Sequence, residues 1–144
     1  MVVAAQKSPI ANWEQIRDEW IARVKGLVDL AEGWARDLGW ATRRIEIGLD
    51  DPEIGAYRVP ALHFQEDRTR LLLEPLGRTG DGGDGVADLY LMPAYDDVAK
   101  LSFENGEWHI NYLPPGRSQN ESRWEPLTRE LFQNVAESMR RHVA

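Results

Sequence analysis

The chain of 144 residues contains no cysteine. This absence excludes a disulfide framework, a thiolate-ligated metal site and a cysteine nucleophile. A hydrophobic core must therefore stabilise the chain, and a domain of this size buries about two thirds of the surface that its unfolded state exposes. The sequence predicts one domain over residues 1–144, and a reducing compartment such as the cytoplasm fits its composition.

Long apolar runs are also missing. The apolar stretch near the N-terminus covers only Val2 to Ala5, has no basic residue before it and is followed by the polar residue Gln6. It is too short for the core of a signal peptide, and no later stretch approaches the length of a membrane span. We therefore expect a cytoplasmic protein with no membrane segment, in which residues 1–8 are disordered.

The chain has fewer basic than acidic residues. The chain has 17 Lys and Arg residues against 24 Asp and Glu residues, which gives a formal net charge of -7. Affinity for nucleic acid comes largely from Lys and Arg that displace counterions from phosphates, so the balance argues against a nucleic-acid partner. The basic cluster at 140–142 is better explained as a complement to the dipole of a C-terminal helix. A basic protein is the partner that this charge favours.

The first structured segment is predicted to be a helix. From Trp13 to Leu38 apolar residues recur at steps of three or four, which is the helical period. Asn12 can cap its start, and Pro9 offers an earlier one. Two internal glycines, Gly26 and Gly33, each cost about 1 kcal/mol relative to alanine. They predict a bend or a close crossing by another element.

After residue 40 the apolar pattern changes to the alternation that is typical of strands. Five or six antiparallel strands are predicted, at 43–49, 57–65, 70–76, 86–92, 98–104 and 107–113. Pro60 lies within the second of them and indicates an edge strand or a bulge, because proline has no amide hydrogen to donate to a neighbouring strand.

The last two strands form the clearest predicted hairpin. Asn105-Gly106 separates two alternating runs, and both residues tolerate the positive φ angles of a type I′ turn. Counting outward from the turn pairs Phe103 with Trp108 on a buried apolar face. The same count pairs Ser102 with His109 on a polar face.

A final helix is predicted with Pro126 in its first turn. Its buried stripe is formed by Leu127, Leu131, Val135 and Met139. The order of elements predicts an α+β fold with a long N-terminal helix, an antiparallel meander of five or six strands and a C-terminal helix, the helices being packed on one face of the sheet.

The glycine-rich stretch at 77–85, GRTGDGGDG, matches the letters of the dinucleotide-binding pattern G-x-G-x-x-G. That pattern binds phosphate only where the glycines open a helix, and here residues 86–92 read as a strand. Calcium-binding patterns also fail, since the aspartate of the nonapeptide repeat arrives one residue late and no glutamate closes a twelve-residue loop. We interpret 77–85 as a flexible hairpin loop. A weak cation site remains open, formed by Asp81, Asp84 and Asp88.

No assembled catalytic or metal motif is present. The chain lacks H-E-x-x-H and H-x-H, and no cofactor is implied. Ser102 and His109 have the chemistry of a nucleophile and its base, but no oxyanion feature or Gly-x-Ser-x-Gly turn accompanies them. We therefore assign no catalytic residue.

Two functional hypotheses follow. The first is a non-catalytic, acidic, protein-binding domain of the adaptor, immunity or chaperone-like kind, which is a monomer or a homodimer. Its partner-binding candidates are the acidic residues of the loops and sheet: Asp81, Asp84, Asp88, Asp96 and Asp97. The alternative is a small-molecule binder or hydrolase with a cavity between the sheet and the long helix. Its ligand-binding candidates are His63, Tyr57 and Glu74, with Trp40 and Trp124 at the rim.

Overall fold

A computed structural model describes residues 9–78, 84–93 and 97–142. Helix α1 (Pro9–Asp37) comes first and helix α2 (Arg129–Arg141) comes last. Between them lie seven strands: β1 (Ala41–Asp51), β2 (Gly55–Glu66), β3 (Thr69–Gly77), β4 (Val86–Met92), β5 (Val98–Glu104), β6 (Glu107–Tyr112) and β7 (Glu125–Pro126). They form one antiparallel sheet in chain order. The predicted α+β fold is confirmed, with seven strands rather than five or six.

The additional strand corrects the prediction for Pro126. This residue does not lie in the first turn of α2. It pairs with His109 of β6, in a two-residue strand at the edge of the sheet. A proline suits an edge because no ladder hydrogen bond is required of it there. Helix α2 begins after Thr128, whose side-chain oxygen accepts a hydrogen bond from the amide of Leu131 at 3.1 Å.

Both helices pack on one face of the sheet, which we call the inner face. Phe64 of β2 contacts Phe132 of α2, with ring centroids 5.6 Å apart. Phe132 in turn contacts Trp34 of α1, also at 5.6 Å. Aromatic pairs at such distances contribute about 0.5–1.5 kcal/mol beyond the area they bury. This cluster therefore joins the two helices to each other and to the sheet.

Helix α1 runs unbroken through Gly26 and Gly33. A Cβ atom added at either glycine would have no neighbour within 4 Å among the described residues. Within that part of the chain, the predicted close crossing by another element is therefore wrong.

The side of β2 that faces the core changes along the strand. Tyr57 and Val59 are buried in the core cluster, and so are Leu62 and Phe64, although the two pairs have opposite parity. A regular strand would place them on opposite faces. The change falls between Val59 and Leu62, at the position of Pro60.

Proline also explains where β2 separates from β3. The β2–β3 ladder extends only as far as Leu62 opposite Leu73, whereas the β1–β2 ladder continues to Asp51 opposite Gly55. Continuation of the β2–β3 register would place Pro60 opposite Pro75, and neither residue has an amide hydrogen for the ladder. Strand β2 is thus interior at one end and leaves β3 at Pro60. The outer half of the β1–β2 hairpin is then free to twist toward α1.

The outer half of the β1–β2 hairpin packs against Trp20 of α1. Its indole N–H donates a 2.7 Å hydrogen bond to the hydroxyl of Tyr57, and both side chains are buried. Gly85 also lies against the indole, and a Cβ atom added there would overlap the six-membered ring. Glycine is required at position 85 because Trp20 occupies the space of a side chain.

Both described ends of the predicted loop at 77–85 are attached to the fold. Gly77 is the last residue of β3, and Arg78 forms ion pairs with Asp51 at 3.1 Å and Glu53 at 2.6 Å. At the other end the amide of Asp84 donates to the carbonyl of Phe103 at 2.8 Å. Residues 79–83 lie outside the described residues.

Substitution of Gly85 by alanine is expected to destabilise the fold, because the methyl group would displace the Trp20 ring and strain its hydrogen bond to Tyr57. Overpacking of this kind costs about 1–3 kcal/mol. Urea unfolding followed by tryptophan fluorescence measures it. Gly48→Ala is the control, since Gly48 lies in β1 with open space at its Cβ position. Equal midpoints for the two variants would show that Trp20 moves aside without cost.

Candidate functional site

A groove of about 770 Å³ lies between α1 and the β5–β6 hairpin, and we call it the α1 groove. It is larger than the other described pockets, of about 290, 180 and 320 Å³. Its described lining residues are Glu19, Ala22, Arg23, Gly26, Leu27, Asp29, Leu30, Phe103 and Trp108. No histidine is among them.

The α1 groove is shallow and open to solvent, and small residues of the helix form part of its floor. Ala22, Gly26 and Leu30 follow one another at steps of four and so share one face of α1. Gly26 contributes no side chain and Ala22 only a methyl group, while Leu30 stands at the edge with 48% of its surface exposed. Phe103 and Trp108 form the opposite wall and contact each other edge to face, at 5.4 Å between centroids. The groove is therefore largely apolar.

The charged side chains of the α1 groove differ in whether they already have partners within the protein. The guanidinium of Arg23 lies 4.1 Å from the centroid of the Phe103 ring and donates to the carbonyl of Asp84 at 3.3 Å. Its charge is thus engaged within the fold. Glu19 and Asp29 lie ten residues apart on the helix, or about 15 Å. Asp29 pairs with Arg44, yet its side chain remains 65% exposed. The groove has an apolar floor with an acidic group toward each end.

The predicted ligand-binding residues do not share a cavity. Tyr57 is in the core, bonded to Trp20. Trp40 is buried against Phe64, at 5.4 Å between centroids, and its indole N–H has no partner among the described residues. Trp124 is 48% exposed next to β7. None of the three lines the α1 groove.

His63 and Glu74 lie on the outer face of the sheet, away from the helices. His63 and Tyr57 were predicted to line one cavity, but Tyr57 is in the core cluster and His63 is not. Glu74 is directly opposite Asp88 of β4. Burial, and secondarily the charge of Asp88, raise the pKa of the Glu74 carboxyl. Asp88 itself accepts a 2.8 Å hydrogen bond from the hydroxyl of Tyr90.

The predicted acidic partner-binding residues also separate. Asp81 and Asp96 lie outside the described residues. Asp84 is exposed beside the α1 groove, and Asp88 is half-buried on the outer face. Asp97 is 3% exposed, so its carboxylate is not presented at the surface.

Asp97 instead anchors the C-terminus of α2. One carboxylate oxygen lies 2.6 Å from Nδ1 of His142 and accepts a 3.2 Å hydrogen bond from the hydroxyl of Tyr112. The other carboxylate oxygen has no partner among the described residues. The Tyr112 hydroxyl also lies 3.4 Å from Oγ of Ser138. Burial raises the pKa of Tyr112 to about 12, with the charge of Asp97 acting in the same direction.

This cluster contains serine, histidine and aspartate, but the tyrosine hydroxyl, and not the histidine, contacts the serine. A catalytic serine needs the imidazole as its base, whereas the neighbour of Ser138 is a protonated phenol. Sequence reasoning missed the cluster because Asp97 and His142 are 45 positions apart and share no local pattern.

Ser102 and His109 are cross-strand neighbours, as predicted. The Ser102 hydroxyl, however, donates to Glu104 at 3.2 Å, and Nε2 of His109 lies 3.5 Å from the carboxylate of Glu107. Each side chain thus associates with a carboxylate two residues away on its own strand. No nucleophile–base bond is formed in this arrangement.

Among residues 9–78, 84–93 and 97–142, no group of three or more histidine or acidic side chains is placed to hold a metal ion. No helix in the described part of the chain is both long and apolar enough to cross a bilayer.

Glu74→Gln is expected to stabilise the protein at neutral pH. Because the folded-state pKa of Glu74 is raised, its contribution to stability is greatest below its ordinary pKa of 4.5 and is lost as the pH rises through the folded value. The variant should gain about 0.2–1 kcal/mol at pH 7, the range for cross-strand pairs, and nothing at pH 3. Thermal melts at the two pH values measure this, with the exposed Glu14→Gln as control. A less stable Glu74→Gln variant at pH 7 would contradict the sign.

Tyr112→Phe is expected to cost about 1.5–3 kcal/mol at pH 8, where it removes a hydrogen bond to the Asp97 carboxylate. The wild-type phenol ionises more readily when unfolded, since its pKa rises from 10.0 to about 12 on folding. Stability contributed by Tyr112 is therefore lost as the pH rises from 10 to about 12. Urea unfolding across this range should show the two proteins converging. A constant difference would place the Tyr112 hydroxyl in water.

Comparison of the chain with known proteins found no matching family model, no similar curated protein and no similar solved structure. Its function is therefore inferred from its own surface.

Proposed function

We propose that this chain is a non-catalytic protein-binding domain that holds a basic amphipathic helix of its partner in the α1 groove. The observation that carries the proposal is the groove itself, an apolar depression bounded by Leu30, Phe103 and Trp108. Exposed apolar surface in a concave setting is typical of interaction sites. Adaptor, immunity and chaperone-like domains all require a surface of this kind.

The dimensions favour a helical occupant. The lining residues of α1 extend from Glu19 to Leu30, which is about three helical turns. Helix-in-groove recognition inserts apolar residues at i, i+3, i+4 and i+7 along such a length. The small residues Ala22 and Gly26 would permit close approach between the two helices.

Charge selects a basic partner. Glu19 lies toward one end of the groove with its carboxylate exposed, whereas Asp29 at the other end is paired with Arg44 and Arg23 lies over Phe103. The net charge of -7 acts in the same direction at longer range. Complementary charges at the edge of an apolar contact mainly raise the association rate and orient the partner.

The alternative hypothesis, a small-molecule binder or hydrolase, depended on His63, Tyr57 and Glu74 facing one cavity. Tyr57 is bonded to Trp20 in the core, and the other two side chains lie on the outer face of the sheet. The protein-binding proposal does not require these residues to meet.

A labelled peptide tests the proposal. We choose a helical peptide of about four turns with leucine at i, i+3, i+4 and i+7 and lysine at its flanking positions, together with a scrambled peptide of identical composition. Fluorescence anisotropy should show saturable binding of the first peptide to the wild-type protein and at least about tenfold weaker binding of the second. Equal binding of the two would indicate charge attraction alone and would overturn the proposal, as would the absence of binding.

The two exposed glycines of α1 provide matched variants. Gly26→Leu fills the α1 groove, whereas Gly33→Leu adds the same side chain to the same helix outside it. Both changes raise helix propensity by a similar amount, so neither is expected to unfold the protein. Gly26→Leu should weaken peptide binding about tenfold or more, and Gly33→Leu should leave it within about twofold. Equal effects would place the binding site elsewhere.

A further inference from the structure

A second pocket, of about 290 Å³, lies on the outer face of the sheet where β1, β2 and β3 remain paired. Its lining residues are Ala41, Thr42, Arg43, His63, Phe64, Gln65 and Arg70. Arg43 lies directly opposite His63, and Arg70 lies opposite Gln65. Strands β1 and β3 flank β2 at a separation of about 10 Å. The two arginine side chains can therefore converge over β2 from opposite sides.

The two arginines of this pocket are unpaired. Neither Arg43 nor Arg70 forms an ion pair or a side-chain hydrogen bond with any residue in the described ranges, and both are exposed. The contrast with Arg44, the next residue on β1, is direct, because Arg44 faces α1 and binds Asp29 and Glu32. Arg68 and Arg123 are likewise without an ion pair in the described ranges, but Arg43 and Arg70 differ from them in lining one pocket.

The environment of His63 indicates a positive local potential. Burial lowers the pKa of the imidazole, and the charges of Arg43 and Arg70 lower it further. The nearest acidic residue along β2, Glu66, interacts with Arg140 of α2. The lining residues include no carboxylate that would neutralise the two arginines.

We propose that this pocket binds a small phosphate monoester or free phosphate, with Arg43 and Arg70 as charged donors and His63 as a third donor. Guanidinium groups present paired N–H donors that match the oxygens of phosphate. A pocket of this size is near the lower end of the range for small ligands. The site lies on the face opposite the helices, so it is independent of the α1 groove.

Binding would also change the protonation of His63. A phosphate dianion beside the imidazole favours its charged form. The groups that face it from the adjoining strands are Arg43 and Arg70, both of which remain charged throughout the neutral range. Phosphate should therefore raise the pKa of His63, and this readout is specific to the pocket.

Inorganic phosphate is the probe for the test. It is titrated into the protein of residues 1–144 at constant ionic strength set by chloride, while amide and imidazole NMR signals are followed. We expect saturable shifts that centre on residues 42–43, 63–65 and 70, together with an upward shift of the His63 pKa. Shifts that do not saturate, or an unchanged His63 pKa, would overturn the proposal.

Matched double variants test whether Arg43 and Arg70 bind the phosphate. Arg43→Gln/Arg70→Gln should weaken phosphate binding by about tenfold or more. The control, Arg58→Gln/Arg123→Gln, removes the same charge from two exposed arginines outside the pocket. Equal losses in both double variants would show a non-specific effect of net charge and would contradict the site. Thermal melts verify that both proteins remain folded.

Two further ligands identify the source of the phosphate. Glycerol phosphate that binds at least as tightly as inorganic phosphate would indicate a monoester, and preference for inorganic phosphate would indicate the free anion. Acetate or sulfate that binds as tightly as phosphate would overturn the assignment of this ligand class.

Discussion

Trp20 joins three parts of the molecule that are far apart in the sequence. Its indole N–H bonds to Tyr57 in the β1–β2 hairpin, its ring fills the space beside Gly85, and its centroid lies 6.4 Å from that of Trp108 in β6. Trp20 therefore helps to position α1 on the sheet at one end, as the Trp34–Phe132–Phe64 cluster does at the other. Because Trp108 also forms a wall of the α1 groove, the contact that orients the helix also determines where the groove opens.

The same packing decides which charges are available at the surface. Consecutive residues of a strand point to opposite faces, so Arg44 points to α1 and is neutralised there, while Arg43 points outward and is not. On α1 the corresponding division is between Asp29, which is paired with Arg44, and Glu19, which is exposed and has no ion pair among the described residues. The protein thereby has a groove with an available acidic group toward one end on one side and a basic pocket on the other.

Local patterns predicted the fold well where local interactions determine it. The register of the β5–β6 hairpin follows from the Asn105-Gly106 turn and is confirmed pair by pair. The helix predicted from Trp13 to Leu38 is confirmed within α1, which covers Pro9–Asp37 of the described residues. Strand β7 was missed because two residues carry no periodicity, and Pro126 fits a helix start as readily as a sheet edge.

The candidate sites could not be predicted in the same way. In the described part of the chain no other element crosses α1 at Gly26, which leaves the α1 groove open, and a sequence pattern does not show which helix positions lack a neighbour. His63 was predicted to line a cavity together with Tyr57 and Glu74, whereas the structure places it beside Arg43 and Arg70. The β1–β2 ladder continues without a register shift through Pro60, but the side of β2 that packs in the core changes there, so that residues of both parities are buried.

The break between β2 and β3 has opposite consequences on its two sides. On the N-terminal side of Pro60, toward the β1–β2 turn, the hairpin separates from β3 and covers Trp20, which completes the core. On the C-terminal side, three strands remain paired over Leu62–Glu66 and Thr69–Leu73, and the basic residues of the pocket project from this paired region. Backbone ladders hold side chains more precisely than loops do, which lowers the entropic cost of ordering them around a ligand. One pair of prolines, Pro60 and Pro75, therefore separates the part of the hairpin that stabilises the fold from the part that carries the proposed anion site.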